Sequence, residues 1–131
     1  MNTAILRLTE VESQISSPTF FDFLQHIDLY SELDARDEAD FDDRWMAEYH
    51  RLEQKRFHEE INRLIDRLRE LAFKGAYRAV QDADAAARVS DDMELVAKSM
   101  ALGEEERESW SMAFLWEAYR QGTFPHQIDP L

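Results

Sequence analysis

Four histidines and twenty-eight aspartates and glutamates are the side chains in this 131-residue chain that could hold a metal or move a proton. A bundle that binds a metal pair needs Glu-x-x-His motifs on facing helices. The residues three before His26, His50, His58 and His126 are instead Phe23, Ala47, Lys55 and Thr123. Helical spacing would align His50, Gln54 and His58 on one face, with Glu53 three residues from His50. That face is charged rather than apolar, so solvated histidines are expected there. His58-Glu59-Glu60-Ile61 is followed by Asn62, which removes the His-Glu-x-x-His zinc motif. The chain has no cysteine, and therefore no disulfide, thiolate ligand or thiol nucleophile. Its serines form no Gly-x-Ser-x-Gly elbow, and three glycines cannot build the usual phosphate loop. Carboxylate pairs of the glycosidase kind carry no specificity in so acidic a chain. No catalytic residue, metal or cofactor is expected, and the sequence supports no enzymatic reaction.

Charge is the property left to explain. The net charge is −13, and it is unevenly placed. Arg51 to Arg78 holds eight basic and five acidic residues, a balance of +3, so the remainder carries −16. Such flanks repel nucleic acid and anionic membranes and attract basic partners with salt-dependent rates. The densest run is Glu32-Leu33-Asp34-Ala35-Arg36-Asp37-Glu38-Ala39-Asp40-Phe41-Asp42-Asp43. Two or three acids at a helix start are accounted for by the helix dipole. Seven repel one another unless something positive sits against them. The run lacks the glycine and glutamate positions of an EF-hand calcium loop.

The elements that position these groups read as helices. Phe41, Trp45, Tyr49 and Leu52, then Phe57, Ile61, Leu64, Leu68 and Leu71, return to one helical face, with Ile65 and Ala72 widening the stripe. A central helix over about 40–73 follows. Pairs such as Glu53/Arg56, Glu59/Arg63, Asp66/Arg69 and Glu70/Lys74 support it. Unbroken, it would run roughly 50 Å, against a radius of gyration of about 14 Å for a chain of this size. The apolar phase slips between Leu52 and Phe57, which places a bend near 53–56. Thr3 opens a first helix to about residue 15. Ser16-Ser17-Pro18 opens a second to about Leu33, whose aromatics Phe20, Phe21, Phe23 and Tyr30 are expected in the core. The central pattern either breaks near Gly75 or runs to about Ala87. Ser90 and Asp91 offer caps for a short helix ending at Gly103, and Glu104-Glu105-Glu106 opens a last one that stops at Gly122. With so few Gly and Pro, the fold class is all-α: a compact bundle of about five helices around the long central one, forming a single domain over 1–131.

Met1 to Leu8 has neither a basic n-region nor an apolar run, and no segment approaches the ~20 apolar residues of a membrane span. A soluble, unprocessed, cytoplasmic protein is expected. In size and acidity the chain resembles bacterial immunity proteins. The function expected is a non-enzymatic acidic binding protein that neutralises a basic protein partner, in the manner of an immunity protein, antitoxin or nucleic-acid mimic. The partner would be of the kind a toxin or nuclease represents. The contact residues expected are Asp37, Glu38, Asp40, Asp42 and Asp43, with Glu104, Glu105 and Glu106 as a second patch. The alternative is a structural protein that homodimerises through its long helix.

Overall fold

The computed structural model describes residues 3–105 and 108–126. Helices account for the regular structure among them: α1 (Thr3–Ile15), a 3-10 helix (Asp22–His26), α2 (Leu29–Arg36), α3 (Ala39–Glu53), α4 (Glu59–Val80), α5 (Ala83–Leu102) and a π-helical turn (Ser111–Trp116) that runs into α6 (Glu117–Arg120).

α4 is the long central helix, 22 residues or about 33 Å. Its inward stripe is Ile61, Ile65, Leu68, Ala72 and Ala76. Gln81, in the left-handed region at φ 53°, closes it by donating to the Tyr77 carbonyl. Asp82 then caps α5 by accepting from the Ala85 amide at 3.0 Å. So short a connection makes α4 and α5 an antiparallel hairpin, and α1 packs across both. α5 holds the densest run of buried side chains, among them Val89, Met93, Leu95 and Val96. Gly103, at φ 76°, ends it by donating to the Met100 carbonyl, and Arg7 of α1 also donates to the carbonyls of Met100 (2.7 Å) and Ala101.

The expected bend near 53–56 is a full break. α3 ends at Glu53, and α4 begins six residues later, after a non-helical link. Strict spacing would set Arg56 on the apolar face, and interrupting the helix avoids this. The 50 Å overhang disappears with it, because α3 turns back to pack on α5.

Three expectations are corrected. The second helix is not one element over 18–33: the chain turns through a 3-10 helix, and α2 starts afresh with Asp28 accepting from the Ser31 amide. This lets Phe20 stack on Trp116 and lets Phe21 and Phe23 meet Tyr119 edge-on, while Tyr30 points outward, 73% exposed. Ser90 and Asp91 do not open a helix; they lie inside α5. The last helical stretch begins at Ser111, and Glu104 and Glu105 stand outside it, while Glu106 lies outside the described residues.

α4 passes straight through Gly75, where a Cβ would lie 2.7 Å from Cδ2 of the buried Phe21 ring. Alanine would gain about 1 kcal/mol of helix propensity. Displacing a ring held against Phe20 and Tyr119 costs about 1–3 kcal/mol. Gly75→Ala should therefore lower stability by about 1 kcal/mol in thermal unfolding. A melting temperature at or above that of the parent would show that the ring can slide.

Candidate functional site

α2 and α3 meet at a corner built from the acidic run. α2 ends at Arg36, and only Asp37 and Glu38 separate it from α3. Glu38 is extended, at φ −67° and ψ 145°, and makes no side-chain cap bond. Asp40 and Asp42 lie in the first turn of α3, where the helix dipole favours them. The period of α3 turns Phe41, Glu48 and Leu52 inward, leaving Asp40, Asp42 and Asp43 exposed beside Asp37 and Glu38. Asp37 pairs with Arg88 of α5 at 3.0 Å. Glu38, Asp40, Asp42 and Asp43 have no ion pair among the described residues.

The second expected patch is built differently. Glu104 is only 17% exposed and receives both terminal nitrogens of Arg51, at 2.7 and 2.9 Å. Despite burial, which works the other way, Arg51 holds the Glu104 carboxyl below its usual range. Glu105 is exposed, and Glu106 lies outside the described residues. Arg51 sits 12 residues along α3 from Ala39, so the two patches lie about 18 Å apart along that helix.

Two buried carboxylates fix α3 in place. Asp92 of α5 accepts from Arg36 through both oxygens (2.8 and 2.7 Å), from Trp45 Nε1 (2.9 Å) and from the Tyr119 hydroxyl (2.6 Å). Arg36 also donates to the Pro125 carbonyl, and its guanidinium lies over the rings of Phe41 and Phe124. Burial opposes its charge, yet Asp92 more than offsets this and raises its pKa. Burial, reinforced by Asp92, raises the Tyr119 phenol well above its usual value, so it stays a donor. Glu48 accepts from the Ser111 amide and hydroxyl (3.0 and 2.6 Å) and from Arg51 (2.9 Å). These charges anchor the fold.

Between α2, α3 and α5 lies a cleft of about 210 Å³ bounded by Asp37, Phe41, Asp42, Trp45, Met46 and Asp91, with Arg36 and Arg88 also at its wall. Trp45 stacks on Tyr49, centroids 5.7 Å apart, and both rings are half-buried against the core. Four of the five basic residues of α4 are engaged within the chain: Arg63 with Glu59, Arg67 with Glu12, Arg69 with Asp91 and Glu94, and Lys74 with Glu70. Arg69 thus passes over Asp66, its expected partner.

The histidines do not converge. His50 pairs with Glu53 (3.0 Å) and His126 with Glu32 (2.6 Å). His58 does not continue the face of His50, because α3 stops at Glu53 and His58 caps α4. Among the described residues no three His, Asp or Glu side chains are grouped to hold a metal ion, and no helix is long and apolar enough to cross a membrane.

No curated protein matches the chain. A family model described as immunity protein PIM1 matches residues 10–126, which take in all of α2 to α6 and with them the acidic corner and both buried networks. The chain belongs to the PIM1 immunity protein family.

Proposed function

We propose that the chain is a non-enzymatic inhibitor that neutralises a basic, toxin-like protein by binding it with the corner of Asp37, Glu38, Asp40, Asp42 and Asp43. One observation carries this reading. Four of those five carboxylates are exposed without an ion pair among the described residues, although the chain has fifteen lysines and arginines and uses most of those on α4 internally. Clustered like charges destabilise a helix start unless an external cation answers them. Across an interface they speed encounter with a basic surface. Glu104, Glu105 and Glu106 contribute less in this reading, because Glu104 is committed to Arg51. The lack of cysteine suits a reducing compartment, and we assign the protein to the cytoplasm.

Replacing the five residues by Asn, Gln and Ser should leave helicity unchanged, slow association with the toxin about tenfold or more at low salt, and flatten the salt dependence. The partner is obtained by low-salt capture from the producing cell, released at high salt and assayed for toxicity with and without this chain. Unchanged affinity and salt slope in the variant would remove the corner from the interface. A homodimer is the weaker reading. The apolar stripe of α4 is already covered by α1 and α5, which leaves only the stacked, exposed Phe73 and Tyr77 for a second copy.

A further inference from the structure

We infer that the cleft between α2, α3 and α5 seats one long cationic side chain, lysine or arginine, from the bound partner. The inference rests on the acidic corner being the partner-binding surface, and it names what that surface reads. The cleft's walls are of two kinds. Phe41, Trp45 and Met46 form an apolar side, the last 37% exposed at the surface. Asp37, Asp42 and Asp91 form an acidic side.

The cations at the wall have carboxylate partners, although the buried Nε of Arg36 has no acceptor. Arg36 is held by both oxygens of Asp92, and Arg88 lies between Asp37 and Asp84 at 3.0 and 3.5 Å. Of the three wall carboxylates, Asp37 is answered by Arg88 and Asp91 by Arg69, which leaves Asp42. Asp42 has no ion pair among the described residues. Asp91 shares Arg69 with Glu94, and partial burial, helped by Asp92 and Glu94, raises its carboxyl above the usual range. A positive group arriving there relieves that penalty.

An apolar wall beside a carboxylate rim matches a side chain with an aliphatic stem and a charged head. The half-buried Trp45 ring adds an aromatic surface to which a cation is attracted. A free metal ion would leave the apolar wall unused, and an apolar knob would leave Asp42 desolvated without a partner. The volume admits one side chain, so the partner enters by a single residue rather than by a helix.

The test needs no knowledge of the partner. Nuclear magnetic resonance titration of the labelled protein with acetyl-argininamide, acetyl-lysinamide and the neutral isostere acetyl-citrullinamide reads the Trp45 indole N–H and the Asp42 and Met46 amides directly. Saturable shifts at these positions with one or both cationic probes, weaker by tenfold or more with citrulline, are expected. Met46→Lys, which supplies an ammonium from the chain itself, and Asp42→Asn, which removes a rim charge, should each abolish or sharply weaken them while the remaining spectrum is kept. Equal shifts with citrulline, no shift with any probe, or shifts unaffected in both variants would overturn the cleft. The reading beneath it fails separately: if neutralising the five acids weakens toxin binding while the cleft ignores the cationic probes, the corner stands and the side-chain seat does not.

Discussion

Asp92→Ala is expected to cost about 4 kcal/mol in urea unfolding, the range for removing one partner of a buried ion pair. Asp92 is 0% exposed, and its two oxygens take four donor contacts from three side chains on three different helices. Alanine leaves the Arg36 guanidinium buried with only the Pro125 carbonyl and two aromatic faces. It also strands the Trp45 indole N–H and the Tyr119 hydroxyl. Each orphaned donor costs about 1–3 kcal/mol, and a charged one more. Asp92→Asn should fall between, since it keeps an acceptor and loses the charge. The double variant Arg36→Met, Asp92→Leu should recover the part due to the unpaired guanidinium, because apolar groups of similar volume often replace a buried ion pair at little cost, but not the part due to Trp45 and Tyr119. A loss under about 1 kcal/mol for Asp92→Ala would mean that water reaches the cluster.

The consequence for function lies in α3. That helix buries only Phe41, Glu48 and Leu52, and two of its attachments to the bundle are the polar bonds of Trp45 and Glu48. The acidic corner and the cleft therefore ride on a helix held partly by charge. Loosening Asp92 should raise hydrogen exchange along α3 before it does so along the α4–α5 hairpin.

How much of this could be read from the residues differs by element. α4 was legible because its 4-3 spacing and its local pairs Glu59/Arg63 and Glu70/Lys74 agree, and both pairs form at 2.7 Å. The break after Glu53 was visible as a phase slip. The exposed placement of Asp37, Glu38, Asp40, Asp42 and Asp43 was visible as well, since the apolar period takes only Phe41 from that stretch. The start of α5 was not. Ser90 and Asp91 have the chemistry of caps, but Asp82 takes that role, and the Ser90 hydroxyl donates instead to the Arg69 carbonyl of α4.

Arg36 looks like one more counterion in an acidic run, and its partner lies 56 residues away. A signal for both buried carboxylates did exist. Asp92 stands three residues after Val89 and four before Val96, and Glu48 three after Trp45 and four before Leu52. Each is an acid on an apolar stripe. Periodicity reports such a position as a defect in the pattern; only tertiary partners turn it into a buried anchor.

Glu48→Ala should cost about 3 kcal/mol near neutral pH, since it leaves the Ser111 amide and hydroxyl without an acceptor at the start of the π-helical turn. Arg51 keeps Glu104 and so remains half paired. The pH dependence separates this role from simple packing. Burial acts to raise the Glu48 carboxyl, but its bonds from Arg51 and Ser111 overcome that and lower it. A carboxylate whose folded pKa lies below its unfolded value, about 4.3, stabilises the protein at all higher pH. That contribution is lost as pH falls from about 4–5 down through the folded pKa. Glu104 acts with the same sign through Arg51. Asp91, raised by burial, acts with the opposite sign and offsets part of the loss. The stability gap between the parent and Glu48→Ala should therefore be widest near pH 7 and narrow once the carboxylate in the parent is protonated, whereas Glu48→Gln should lose less at pH 7. Urea unfolding of the three proteins across that acid range measures it. A gap that stays constant would assign Glu48 to shape alone, and the charge that ties α3 to the C-terminal helix would have to lie elsewhere.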